Sequence, residues 1–263
     1  MGKRGAKRTE LSAIPIAPGG SVLRPMKTAE QAARDVVREI MTKGLGPGDS
    51  LPSEAVMIKQ LGYSRESLRE ALRLLEVQGM ITLRRGPGGG PIVGTVDPAN
   101  LGRIEALFFH MAGATYDELF EAWVTAQVLL ASRAAAHPDA DVRREVMEPY
   151  LKGEAGEDDH SDLRLFVEGH GGFHTAVARL ARNKVLELTM TAYGQLVTHH
   201  IATVGDPRPL HRALIEEHVE LAQAIVDGDV DKAGRLMEKH LHNVIAYSRE
   251  HLGDRLDGFI EWL

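Results

Sequence analysis

Residues 51–85 read LPSEAVMIKQLGYSRESLREALRLLEVQGMITLRR, and this stretch decides the fold of the amino-terminal part of the chain. Ser53 stands where it can cap a short helix whose apolar face is Met57, Ile58 and Leu61. Gly62 permits a tight turn. Ser64 is placed to cap a second helix and Gly79 to end it. Along that second helix Leu68, Ala71, Leu72 and Leu75 share one face, while Arg65, Arg69 and Arg73 recur every four residues on another. An apolar back and an arginine front suit the major groove of DNA, where arginine bonds guanine bidentately and neighbouring cations neutralise phosphates. A solvated helix whose arginines pair with Glu66, Glu70 and Glu76 is the alternative that the helix alone leaves open.

Upstream, Thr28 with Gln31 makes a capping box, followed by the buried stripe Ala33, Val36, Val37 and Ile40 of a first helix, which Gly44–Asp49 ends. Downstream, Met80–Arg84 and Ile92–Val96 are short β-type runs around Gly86-Pro87-Gly88-Gly89-Gly90, the pattern of a wing. Residues 25–97 are thus expected to form a winged helix-turn-helix. Residues 1–24, with Lys3, Arg4, Lys7 and Arg8 and little apolar pattern, read as a flexible basic arm.

Asp97-Pro98 marks a boundary, beyond which every apolar period is helical. Segments are expected over Ala99–Ala112, Tyr116–Ala136, Ala140–Lys152, Asp162–Arg182, Lys184–Val204, Leu210–Asp227 and Val230–Arg249. The breaks fall at Gly113 with Thr115, His137-Pro138, Asn183, Pro207 with Pro209, and Asp227-Gly228-Asp229. The fold class is mainly α: residues 98–252 form an all-α bundle whose interior is a natural ligand site, and residues 253–263 form a tail.

Charge divides the chain in the same way. The whole carries −6, but residues 1–95 hold 15 Lys and Arg against 9 Asp and Glu, and residues 96–263 hold 16 against 28. A basic head on an acidic body is expected where one part meets DNA and the other does not. There is no cysteine, which excludes disulfides, thiolate catalysis and cysteine zinc fingers. No apolar run approaches the ~18 residues that span a membrane, so the expectation is a soluble, cytoplasmic protein without membrane contact.

These residues resemble the GntR family of bacterial transcription regulators, in particular its FadR subfamily. The resemblance runs through Gly44-x-x-Pro47-Gly48-Asp49-x-Leu51-Pro52-Ser53-Glu54, Leu61-Gly62-x-Ser64-Arg65 and Arg69-Glu70-Ala71-Leu72-x-x-Leu75. It implies base or phosphate contacts from Arg65 and Arg69, phosphate contacts from Ser64 and Ser67, and a wing from Arg84 and Arg85 along the backbone or minor groove, with Arg73 on the same cationic face. Two positions depart from the family pattern. Ala55 stands where members commonly carry arginine, and Glu66 where a small polar residue is usual, so the operator sequence does not transfer from relatives.

The second part resembles the FCD ligand-binding domain, which holds a divalent metal in many members. The matching motifs are Phe173-His174 with Ala178-x-x-Ala181-x-Asn183, Glu217-His218 with Gly228-Asp229, and Met237-x-x-His240-Leu241. The resemblance implies metal ligands at His174, His218 and His240, with His170 replacing the usual Asp one helical turn before the first histidine. Four neutral imidazoles favour zinc, nickel or copper over magnesium or calcium. The other readings are histidines that bind an anionic effector directly, or remnants of a lost site. Gly171-Gly172 beside His170 could bend the helix or admit a ligand, and His199 and His200 are candidates around the pocket. Where the family often lines its cavity with an Arg and a Glu four residues later, this chain has Trp123 and Gln127, which points to a bulkier or more apolar effector.

Two functions follow. One is a regulator, most often a repressor in the family, that binds a pseudo-palindromic operator as a homodimer and responds to a small molecule. The other is a metalloenzyme using the histidines, with Glu168 or Glu217 as general base. Four protein ligands leave no open metal position, and no nucleophile or oxyanion motif accompanies them, which favours the regulator.

Overall fold

The computed structural model describes residues 14–15, 26–84, 86, 89–152, 163–204, 208–252, 256, 258–260 and 262; side chains at 163–170, 198–204, 208–213 and 251–252 lie outside the description. The chain forms two compact units that divide after Asn100.

In the first unit, helices α1 (Thr28–Lys43), α2 (Glu54–Leu61) and α3 (Arg65–Val77) precede an antiparallel hairpin of β1 (Ile81–Arg84) and β2 (Gly90–Val93). Helix α1 buries Ala32, Ala33, Val36 and Ile40, but not Val37, which is 37% exposed. Its start differs from the expected capping box: Lys27 is the capping position, and the Glu30 carboxylate accepts Lys27 N–H (3.0 Å). Ser53 holds the cap position of α2 without a side-chain cap bond, whereas Ser64 Oγ accepts Ser67 N–H (3.1 Å) at the start of α3. Gly62 makes the turn between them at φ +75°, a left-handed conformation that disfavours any side chain. Leu68, Ala71, Leu72 and Leu75 on α3 then pack with Met57, Leu51, Ile81 and the α1 stripe into one small core.

The second strand lies nearer the glycines than its apolar pattern indicates. Thr82 pairs with Ile92 and Leu83 with Pro91, and the ladder gives way at Gly94. Pro91 is tolerated because only its carbonyl is used, accepting Leu51 N–H (2.9 Å). Arg85, Pro87 and Gly88 of the wing lie outside the described residues.

The second unit is helical: α4 (Pro98–Ala112), which begins at the division, α5 (Tyr116–Ala135), α6 (Ala140–Met147), α7 (Leu163–Leu180), α8 (Lys184–Val204), α9 (Arg208–Asp227) and α10 (Val230–Leu252). Polar side chains start these helices at the breaks the sequence marks. Thr115 and Glu118 form a reciprocal box on α5, Asp139 accepts Asp141 and Val142 N–H, and Asn183 accepts Val185 and Leu186 N–H. Pro149 shortens α6 into a single 3-10 turn, Glu148–Tyr150, since it has no N–H to continue the ladder. Pro209 does not break α9; it sits in the first turn, where a missing donor costs nothing. Helix α7 runs through Gly171-Gly172 without interruption.

Helices α5 and α10 make the most extensive helix contact, and Ala131, Ala134 and Ala135 of α5 are buried. Gly234 allows this approach: a Cβ there would lie 2.8 Å from Ser132 Oγ. Two residues of the expected tail belong instead to this core. Leu256 and Ile260 are buried, Ile260 N–H donates to Ala114 O (2.9 Å), and Ile260 O meets His110 Nδ1 at 2.8 Å. Of the expected basic arm, only Ile14 and Pro15 are described; Ile14 N–H donates to Met111 O (2.8 Å). No helix among the described residues is long and apolar enough to cross a membrane.

Candidate functional site

On the first unit, the apolar face of α3 is consumed by packing, which fixes the opposite face outward. Arg65, Arg69 and Arg73 are exposed there, as are Ser64 and Arg84. The carboxylates of α3 do not pair with these arginines among the described residues. Glu76 instead accepts Leu83 N–H (3.1 Å) and ties the end of α3 to β1. Arg69 Nε donates to Glu54 Oε2 of α2 (2.9 Å). An exposed pair of this kind is worth about 0–1 kcal/mol, enough to preset the guanidinium without withholding it from a phosphate or base. Ser64 Oγ–H donates to Ser67 Oγ (2.9 Å), which holds the two hydroxyls together at the start of α3.

Tyr63 was not singled out by the sequence pattern, yet it braces the turn. Its hydroxyl donates to Asp35 of α1 (2.7 Å), and that bond, with burial and the Asp35 charge, raises the phenol above its usual range. Its legible signal was the one aromatic residue between Gly62 and the cap of α3. Ala55 is exposed on α2, beside Glu54 and therefore near the arginine face.

In the second unit, His174 of α7, His218 of α9 and His240 of α10 converge although the sequence separates them widely. All three are buried, and their ligand-capable nitrogens lie within 4.8 Å of one another. His240 Nε2 is 3.3 Å from both His218 Nε2 and His174 Nε2. His240 Nδ1 lies 2.8 Å from Glu217 Oε2, a carboxylate that can only accept, so the proton sits on Nδ1 and the Nε2 lone pair faces the other two rings. Two metal–nitrogen bonds of about 2.0–2.1 Å at the tetrahedral angle span about 3.3 Å, the separation His240 Nε2 keeps from each of the other two rings. The donor set therefore fits a transition-metal ion.

Phe173 fixes the second ring. It is fully buried and stacks on His218 with centroids 4.0 Å apart and planes at 16°. Glu217, which the sequence offered only as a general base, instead orients His240 and also accepts from Asn243 Nδ2. Burial is the largest single influence on its carboxyl and pushes it up. The hydrogen bonds from His240 and Asn243, with the Lys239 charge nearby, outweigh burial and hold it below the usual carboxylate range. Its position immediately before a ligand histidine was the available signal.

Trp123 of α5 is buried with its ring centre 6.1 Å from that of His174, and Gln127, one turn on, is buried as well. His170 lies on α7 one turn before His174, and His199 and His200 lie on α8; the side chains of all three fall outside the described residues.

Both regions match known families. Residues 28–89 match the bacterial regulatory proteins of the gntR family, and residues 99–243 match the FCD domain. The chain is a GntR-family transcription regulator. The regulator is 24% identical to the HTH-type transcriptional repressor NanR of Citrobacter rodentium over 84% of its own length and 85% of that protein's. It is 28% identical to a protein of Escherichia coli (strain K12) named as an L-lactate dehydrogenase operon regulatory protein, with 84% and 86% covered. The solved structure of Streptococcus agalactiae GntR shares its fold, with a TM-score of 0.60 at 19% identity over 83% of the regulator and 99% of that chain. The comparisons give a DNA-binding regulator with an effector-binding domain, and nothing in them supports the metalloenzyme alternative.

Proposed function

We propose that the regulator is a repressor that occupies a pseudo-palindromic operator as a homodimer and leaves it when a small molecule binds the helical unit beside a metal ion. The observation that carries this reading is the meeting of three buried histidine nitrogens inside the domain that matches FCD. His174, His218 and His240 would hold the ion, with His170 as fourth ligand in place of the family's Asp, and zinc or nickel suits such a nitrogen set. The ion would supply a positive pole for an oxygen of the effector; Glu217 and Phe173 keep the rings aimed. At the operator, Arg65 and Arg69 would reach base edges or phosphates, Ser64 and Ser67 phosphates, and Arg73, Arg84 and Arg85 add cationic contacts. The repressor assignment draws on the name of the NanR relatives.

Elemental analysis of the purified protein, with thermal melts in and out of chelator, tests the metal. One ion per subunit is expected, with a melting point that falls on chelation in the native protein but not in His174→Ala or His218→Ala. A protein that takes up neither zinc nor nickel, and whose melting point chelator leaves unmoved, would overturn it.

A further inference from the structure

Burying a polar atom without a partner is costly, so a fold that keeps two on one helix face holds them for something else. Helix α5 does this one turn apart. Trp123 and Gln127 are 2% and 1% exposed, and neither Trp123 Nε1 nor Gln127 Oε1 has a hydrogen-bond partner among the described residues. The same face continues as Leu130, Ala131 and Ala134, all fully buried and apolar, so the pair belongs to no wider polar network on α5. The Trp123 ring adjoins His174, and Gln127 follows one turn further along α5. Their polarities are complementary: the indole N–H can only donate and the amide oxygen can only accept.

Resting on the reading that an effector enters this unit, we infer that the part of it lying against α5 is an uncharged carboxamide or hydroxyl group, which accepts from Trp123 Nε1 and donates to Gln127 Oε1. A carboxylate would satisfy the indole but set its charge against the Gln127 oxygen. An ammonium group would satisfy Gln127 but oppose the indole hydrogen. Neither side chain carries a charge to neutralise either ion in a buried place. The effector is therefore one that presents a neutral polar group to α5, in contrast to a dicarboxylate or an amino acid with a charged group there.

Two measurements test this. In metal-free protein, Gln127→Met keeps the side-chain length and removes the unmatched oxygen, so the melting point rises by about 2–4 °C; a fall would mean that Gln127 serves packing, and would overturn the inference. In the nickel-loaded full chain, calorimetric titration compares straight-chain diacids of three, four and five carbons with their monoamides. The best monoamide binds at least tenfold more tightly than its diacid, and Gln127→Met abolishes that preference. Diacids that bind as well, or no binding by any monoamide, would overturn it. Nickel content measured alongside separates this from the metal reading: a chain that takes no nickel contradicts that reading alone, and the metal-free melting test still decides the role of Gln127.

Discussion

The arginines of α3 stand between residues 65 and 73 of a single helix and face solvent, whereas the histidines come from α7, α9 and α10 and are almost sealed from water. His174 and His240 are 66 positions apart, yet their nitrogens lie 3.3 Å from each other. The difference is one of what each chemistry needs. Phosphates and base edges arrive from outside, so a reading surface requires only a rigid helix with cations on its free face. A metal or effector held in the interior requires donors from several elements, stripped of water and aimed by neighbours such as Glu217 and Phe173. The same logic explains the division of charge, basic at the head and acidic in the body.

If the two regions differ in this way, damage to the packing should disable the histidine cluster and spare the arginine face. The largest effect is expected from Phe173→Ala, about 3–5 kcal/mol of lost stability for a fully buried aromatic, together with weakened metal uptake because His218 loses its stacking partner. Denaturant melts with metal analysis check it; a stable variant with normal metal content would show that Phe173 does not position the ring.

Arginine removal should give the opposite pattern. Arg65→Ala and Arg69→Ala are each expected to weaken specific operator binding by about 1–3 kcal/mol while leaving melting and metal content unchanged. Gel-shift titrations at fixed salt decide it. Undiminished affinity in both variants would remove α3 from the recognition surface.

A buried carboxyl in the helical unit sharpens the comparison further. Glu105 of α4 has an oxygen without a hydrogen-bond partner among the described residues, and burial pushes its carboxyl up to about 7. A raised acid binds its proton more tightly folded than unfolded, so its stabilising effect is full below about pH 4.5 and is lost as pH rises through about 7. Allowing for screening of a half-buried group, about 1–2 kcal/mol of stability should disappear over that range. Glu105→Gln should remove this slope in melts recorded from pH 5 to 8. A slope equally steep in the variant would assign it to other groups.

The smallest effect is expected on α2. Ala55 is exposed next to Glu54, whose partner is Arg69, so Ala55→Arg should add one cationic contact and raise the salt dependence of operator binding by about one in the log–log slope. Selection from random duplexes should also shift base preference. Identical slopes and profiles would place residue 55 away from DNA.

Much of this was legible in the chain itself. The turn at Gly62, the cap at Ser64, the apolar and cationic faces of α3 and the breaks before α5, α8 and α10 are local events, written within a few residues by torsional preference and helical period. His174, His218 and His240 could be named from the resemblance, but a resemblance does not bring nitrogens together. That required the packing of α7, α9 and α10 on α5.

What the sequence by itself determined was therefore the order and faces of the helices, the wing and the separation of charge, because each depends on neighbours along the chain. Only the tertiary structure decided that Glu76 reaches β1, that Tyr63 grips Asp35 and that Glu217 sets the proton of His240. It also decided that Ile260 fills the core rather than trailing from it, and that Trp123, against His174, and Gln127 keep unmatched polar atoms in the interior. These are contacts between residues distant in sequence, and their partners are chosen by which surfaces meet when the apolar faces are buried.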